Sequence, residues 1–300
     1  MTIVLSGASG MLGSALSKAL RQRGERVFQL VRRAPDALDE LRWNPFTGEL
    51  PELGELGGLG AAIHLSGANV ASRRWTAAYK REMTESRVTT TRVLAEALAK
   101  LRTPPPVLIA ASAVGFYGNR GDEILGEHAG MGRGYFPELC AAWEAATLPA
   151  EEAGIRVVHL RISMVLGPDG GALAKLAPLF RLGLGGPLGN GRQWMSWVSE
   201  ADAVSAALFA LDDAGLAGAI NVAAPNPVTN QEFTRELGRA VHRPALIPAP
   251  AFALRMAFGE MADEALLAST RAVPRRLLDA GFRFAYPDLA QALAAALKDS

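Results

Sequence analysis

Three glycines near the amino terminus, Gly7, Gly10 and Gly13, constrain this chain more than any other feature. They follow a short apolar run, Thr2 to Ser6. They open a segment, Met11 to Arg23, in which Leu12, Ala15, Leu16, Ala19 and Leu20 recur at helical spacing. Strand, glycine turn and helix form the setting that a dinucleotide-binding glycine triplet requires. Gly7 permits the tight turn, Gly10 lets backbone N–H groups approach a pyrophosphate, and Gly13 lets the helix pack closely on the sheet. The helix end adds free donors and partial positive charge. Ser9, Met11 and Leu12 belong to the same loop and are read with the glycines as cofactor contacts. A tight turn without a ligand is the competing reading, and the agreement of strand, helix and position favours the nucleotide.

The rest of the first half alternates strands and helices. Strands are expected at Val27 to Val31, Ala61 to Leu65, Val107 to Ala111 and Arg156 to Val165, and a helix over Tyr135 to Ala153. Residues 34 to 60 read as a long loop with one short strand near Leu41 to Trp43. This alternation predicts an α/β fold, a Rossmann-type doubly wound parallel sheet. After Gly167 the texture changes to glycine-rich and proline-punctuated sequence, with helices expected at Ala201 to Leu211, Gln231 to Ala240 and Ala251 to Phe258. The expected organisation is a dinucleotide-binding domain over 1–167 and a smaller substrate-side lobe over 168–300.

Composition narrows the partners. Lys and Arg total 31 against 30 Asp and Glu, a net charge of +1, so the chain has no electrostatic footprint for nucleic acid or an anionic membrane. The single cysteine, Cys140, makes no internal disulfide, and the four histidines lack metal-ligand spacing, so no metal site is expected. Neither a secretory leader nor a long apolar span is visible, and a cytoplasmic setting with a small-molecule substrate is the expectation.

The end of the second strand selects the nucleotide. NAD sites place an acid there for the ribose 2′-hydroxyl. This chain has Val31-Arg32-Arg33 instead, and a guanidinium binds a 2′-phosphate through paired charge-assisted bonds. NADP(H) is therefore the expected cofactor, with Arg32 and Arg33 as candidate contacts and Arg32 favoured because it is nearer the sheet.

The glycine spacing resembles the extended or atypical short-chain dehydrogenase/reductases, the NAD(P)-dependent epimerase/dehydratase family. More specific segments are similar to one subgroup, often labelled sugar-nucleotide epimerase, with its own C-terminal segment. They are His64 to Asn69, Arg74-Trp75, Ser86-Arg87 with Thr90-Thr91, Ser112 to Gly118, Phe180 to Pro187, Gly189 to Gln193 and Pro274 to Leu277. The resemblance implies that Leu65 and Ser66 end the fourth strand beside the adenosine half. It implies that Arg87, with Glu82 as a weaker companion, lies on the cofactor side of the next helix. It places Ser163 and Val165 on the segment that passes the nicotinamide.

The resemblance also implies a Ser or Thr with a Tyr-x-x-x-Lys pair for proton transfer. Ser112 stands in the expected place, but no Tyr-x-x-x-Lys exists, and Phe136 and Cys140 occupy the corresponding positions. Tyr117, in a glycine-flanked loop, is the local substitute, with an aromatic pocket wall as the competing reading. Glu144 reads as an acid or base, or as a cap on a neighbouring loop. Arg192, Gln193, Trp194 and Trp197 read either as a pocket for a polar substrate or as packing. The function expected is an NADP(H)-dependent oxidoreductase or epimerase-like enzyme acting on a small carbonyl or sugar-related substrate. The alternative is a redox-silent NADPH-binding sensor or scaffold.

Overall fold

The computed structural model describes residues 1–168 and 170–298. Its strands include β1 (Thr2–Ser6), β2 (Arg26–Val31), β3 (Glu40–Arg42), β4 (Ala61–His64), β5 (Val107–Ala113), β6 (Ile124–Leu125), β7 (Arg156–Ile162), β8 (Met164–Gly167), β9 (Trp194–Met195), β10 (Trp197–Ser199) and β11 (Gly218–Val222). Its helices include α1 (Met11–Gln22), α2 (Ala77–Thr84), α3 (Thr90–Ala99), α4 (Tyr135–Ala145) and α5 (Leu148–Glu152). Then follow α6 (Gly171–Arg181), α7 (Glu200–Asp212), α8 (Asn230–Ala240) and α9 (Ala251–Phe258). Among the described residues no helix is long and apolar enough to cross a membrane.

Seven strands form one sheet in the order β11-β7-β5-β4-β1-β2-β3, and the pairs from β5 to β3 are parallel. This is the Rossmann-type order, extending both ways from β1 and reversing direction between β1 and β4. The central strands are apolar throughout because helices cover both faces: all four residues of β4 and four of the five in β1 are buried. On α1 the buried residues Gly13, Leu16, Ser17 and Leu20 make a single stripe.

The chain divides into two compact units, each of three segments. The first comprises Met1–Ser112, Ala141–Leu160 and Ala207–Ala219, and the second Ala113–Cys140, Arg161–Ala206 and Ile220–Ser300. The first has a core that includes Val4, Leu30, Trp43, Leu94, Leu108 and Val157. The second has its own, with Leu173, Phe180, Trp197, Phe233 and Leu293.

Two expected elements are interrupted. The helix expected over Tyr135 to Ala153 stops after Ala145 and restarts at Leu148. Pro149 lies in the first turn of α5, where its missing N–H costs nothing, although it would break a continuous helix. The strand expected over Arg156 to Val165 breaks at Ser163, whose N–H and Oγ–H both bond the Val222 carbonyl. Beyond it, β8 leaves the main sheet and pairs with β10.

Candidate functional site

Four neighbouring strands of the first unit, in the order β2-β1-β4-β5, set the expected residues in a row at their carboxyl ends. Arg32 and Arg33 follow β2, the glycine loop follows β1, Leu65 and Ser66 follow β4, and Ser112 is the penultimate residue of β5. With strands about 4.8 Å apart, this row spans about 14 Å. The crevice outside the carboxyl ends, at the reversal of strand order, is where open α/β sheets bind ligands.

The loop is built from backbone contacts that exclude side chains. Gly7 has φ of +74°, and a Cβ there would stand 2.7 Å from the Leu65 carbonyl carbon and 2.9 Å from the Ser66 nitrogen. A Cβ on Gly13 would lie 2.1 Å from the Gly7 carbonyl oxygen. Gly10 differs: it is extended, and its Cβ would meet only the Gly7 oxygen, at 3.4 Å. Gly10 caps α1 without a side-chain bond, and the first turn of α1 contains no acid. The helix end therefore presents its N–H donors with no competing side-chain anion. Ser9 and Gly10 are exposed, and Met11 and Leu12 are half-buried. This cradle and uncapped helix end fit a dinucleotide pyrophosphate.

The two arginines after β2 differ in their partners. Arg33 bonds Glu40 through Nη1 at 2.7 Å and Nη2 at 2.5 Å, and lies 2.6 Å from Asp36. The shared hydrogen bond raises the Arg33 pKa and lowers that of Glu40. Asp39 pairs with Arg21 at 2.5 Å. The acids of residues 36–40 are thus engaged, whereas exposed Arg32 has no ion pair among the described residues.

Beyond β4 the backbone is braced from one turn. Residues Glu85–Thr89 form a single π-helical turn, a rare element that tends to mark functional sites. Its Ser86 Oγ accepts the Ala68 N–H at 3.0 Å, and its buried Arg87 donates to the Ala68 carbonyl at 2.8 Å and the Met83 carbonyl at 3.2 Å. The Arg87 guanidinium also covers the Trp143 ring at 5.0 Å. Arg87 therefore holds the segment after Leu65 and Ser66, and is not a solvated surface charge. Glu82 is exposed, 3.5 Å from Arg73. His64, beneath Leu65, is fully buried between Ser6 and Thr90, and burial pushes its pKa down to about 3.

At the other end of the row, Ser112 Oγ donates to Glu144 Oε1 at 2.7 Å. The neighbouring Trp143 N–H bonds Thr91 Oγ1 at 2.9 Å, which fixes this turn of α4. Glu144, which the sequence leaves open as an acid or base or as a loop cap, is thereby joined to Ser112. Its signal was its spacing, eight residues after Phe136 and four after Cys140 on one helix.

In the second unit, Tyr117 is fully buried on a short turn, Val114–Tyr117, and not in an open loop. Its hydroxyl donates to Asn221 Oδ1 at 2.7 Å and accepts from Arg161 Nη1 at 3.0 Å. Burial raises its pKa despite the Arg161 charge. Ser163 is buried and bonded to Val222, and Val165 is half-buried on β8 beside Val198. The Phe136 ring lies where a Cβ on Gly115 would stand, 2.7 Å away, and Cys140 is buried. Trp197 and Gln193 are packing residues. The indole N–H of Trp197 bonds the Asn226 carbonyl, and the Gln193 amide bonds the carbonyls of Leu188 and Leu266. Trp194 keeps partial exposure, with Asp122 on its N–H at 2.8 Å and the Arg271 guanidinium 3.8 Å above its ring.

Known proteins share this architecture. Residues 3–223 match the family model described as "NAD dependent epimerase/dehydratase family", and residues 249–296 match "Domain of unknown function (DUF1731)". Epimerase family protein Mb2239 of Mycobacterium bovis is 46% identical over 291 residues, 97% of this chain and 96% of its own. The crystal structure of human epimerase family protein SDR39U1 (isoform 2) with NADPH superposes with a TM-score of 0.92 at 31% identity, covering 100% of both chains. That of a nucleoside-diphosphate sugar epimerase from Corynebacterium glutamicum has a TM-score of 0.81 at 35% identity, covering 99% of this chain and 58% of that one.

Proposed function

The chain belongs to the NAD dependent epimerase/dehydratase family, and from that premise we propose an NADP(H)-dependent oxidoreductase or epimerase-like enzyme acting on a small carbonyl or sugar-related substrate. The observation that carries the cofactor is the pairing of an uncapped glycine-cradled helix end with an exposed Arg32, without an ion pair among the described residues, one strand's width along the same edge. The NADPH in the human relative supports the same choice. Gly7 to Gly13 hold the pyrophosphate, and Arg32, with Arg33 as a second contact, binds the 2′-phosphate. Leu65 and Ser66, braced by Arg87, flank the adenosine half, and Glu82 lies on the same helical run. Ser163 and Val165 are assigned to the nicotinamide side, and residues 168–300 to the substrate side. When bound, the nicotinamide supplies or accepts a hydride. Ser112 and Glu144, joined by a hydrogen bond, stand at the opposite end of the row from the arginines and together form the polar site for a substrate oxygen.

The setting of Tyr117 favours a second reading. Its buried hydroxyl is committed to Asn221 and Arg161, so the phenol is poorly placed to replace the missing Tyr-x-x-x-Lys pair. A redox-silent NADPH-binding sensor or scaffold would need neither. Calorimetry of the purified chain tests the cofactor: NADPH is expected to bind more tightly than NADH, and equal affinities would overturn the role of Arg32. Loss of nicotinamide absorbance against a panel of aldehydes, ketones and keto sugars is expected for the enzyme. A chain that binds NADPH and turns over none of them is the silent protein.

A further inference from the structure

Proton transfer in this family's chemistry needs a titratable group at the reacting end of the cofactor row, and the residues at the usual positions are Phe136 and Cys140. A phenyl ring has no proton to exchange, and Cys140 is buried. The helix that carries both continues to Glu144. Residues 136, 140 and 144 are spaced four apart and follow one stripe of α4.

Glu144 is held from two sides. The Ser112 hydroxyl at the end of β5 donates to its Oε1 at 2.7 Å, and the adjoining Trp143 is pinned by Thr91 and covered by Arg87. The two partners differ in access: Ser112 is 2% exposed, whereas Glu144 is half-buried. The inner residue orients, and the outer one has surface for a ligand. Resting on the enzyme reading above, we propose that Glu144 exchanges the proton with the substrate oxygen and that Ser112 is a positioning residue that fixes its carboxylate.

The step balances. In oxidation, the substrate O–H proton passes to a Glu144 carboxylate oxygen while the adjacent C–H bond breaks and its hydride goes to the oxidised nicotinamide. The C=O bond forms, and the carboxyl returns its proton to water. Reduction runs the same transfers in reverse, with the carboxyl protonating the carbonyl oxygen. Ser112 keeps its own proton throughout, because its task is to hold Oε1.

The test compares wild type with Glu144→Gln, Ser112→Ala and Ser112→Thr, using carboxyl-¹³C glutamate labelling, NADPH titration and turnover of the carbonyl panel. The resonance missing in Glu144→Gln identifies Glu144. It should move in Ser112→Ala, which lacks the donor, and return in Ser112→Thr, which restores it. Glu144→Gln should lower kcat by about 10²–10⁴-fold with NADPH affinity essentially unchanged, and one limb of the pH–rate profile should disappear. Ser112→Ala should lower kcat and Ser112→Thr recover it. Wild-type-like kcat in Glu144→Gln, or an unmoved resonance in Ser112→Ala, overturns this proposal and leaves the cofactor reading intact. A wild type that fails to bind NADPH, or binds it and turns over nothing, overturns the enzyme reading and this proposal with it.

Discussion

Arg33 and Glu40 hold each other in a two-pronged ion pair, which leaves Arg32 as the guanidinium that a 2′-phosphate can recruit without breaking an existing bond. The order of the two arginines in the sequence favours Arg32, and their partners favour it for an independent reason. Arg33 must give up or share Glu40 to meet a phosphate, whereas Arg32 has only to leave solvent.

Arg32→Ala should therefore weaken NADPH binding by about tenfold to a hundredfold, the cost of about 1.5–3 kcal/mol for a lost charge-assisted contact. NADH affinity should barely change, since NADH lacks the 2′-phosphate. Arg33→Ala should cost NADPH less. Calorimetry of both cofactors on the three proteins checks this ranking, and a larger NADPH loss in Arg33→Ala would reverse the assignment.

The glycines separate stability from binding. Gly13→Ala drives a methyl to 2.1 Å from the Gly7 oxygen, so the helix must move off the sheet. Overpacking of this kind costs about 1–3 kcal/mol or more, and NADPH binding should be lost with it. Gly10→Asp meets no such clash, and Asp is a good helix cap. It should melt at or above the wild-type temperature while binding no NADPH, because its carboxylate occupies the phosphate position. Thermal melts paired with fluorescence titration distinguish the two. A Gly10→Asp variant that still binds NADPH would overturn the cradle.

The features legible in the sequence are those fixed by neighbours along the chain. Gly7, Gly10 and Gly13 shape one turn, and α9 falls over Ala251–Phe258 as its pattern predicts. Where the deciding partner is distant, local pattern fails. Ser163 breaks its strand because β10 pairs with the residues that follow it and Val222 takes its N–H. Tyr117 turns inward because Asn221, 104 residues away, accepts its proton. The glycines that flank Tyr117 say nothing of that acceptor. The Ser112–Glu144 bond likewise joins residues 32 apart, so only the spacing of Glu144 along α4 could hint at it.

Tyr117→Phe tests whether the buried phenol is structural. The change leaves Asn221 Oδ1 without its donor and Arg161 with one acceptor fewer, which should cost about 1–3 kcal/mol in urea unfolding. NADPH affinity should not change. The pKa of this phenol is raised by burial, so its stabilising contribution is full below the unfolded value near 10 and is lost as pH rises above it. Wild type should therefore lose stability more steeply than Tyr117→Phe above about pH 10. An unchanged urea midpoint with reduced NADPH turnover would instead give Tyr117 a direct catalytic role.

His64 makes the acid side of the stability profile predictable. Its Nδ1 lies 2.6 Å from Ser6 Oγ and its Nε2 3.2 Å from Thr90 Oγ1. Thr90 already gives its hydroxyl proton to the Ser86 carbonyl at 2.8 Å, so Nε2 is the donor toward Thr90 and Nδ1 accepts from Ser6. The neutral ring is satisfied there, and burial holds its pKa at about 3, against an unfolded value near 6.5. A depressed folded pKa means that the unfolded chain takes up the proton first. Stability is complete above about pH 6.5 and falls as pH drops toward 3. Between pH 6.5 and 4.5 the loss from this residue should be about 2–3 kcal/mol, at 1.36 kcal/mol per pH unit. His64→Asn keeps a donor and an acceptor but has no proton to gain. It should be less stable than wild type near neutral pH because of the volume lost, yet show a shallower decline across that window. Urea unfolding of both proteins at several pH values checks the difference in slope, and parallel profiles would mean that His64 is charged, or equally accessible to protons, in the folded state.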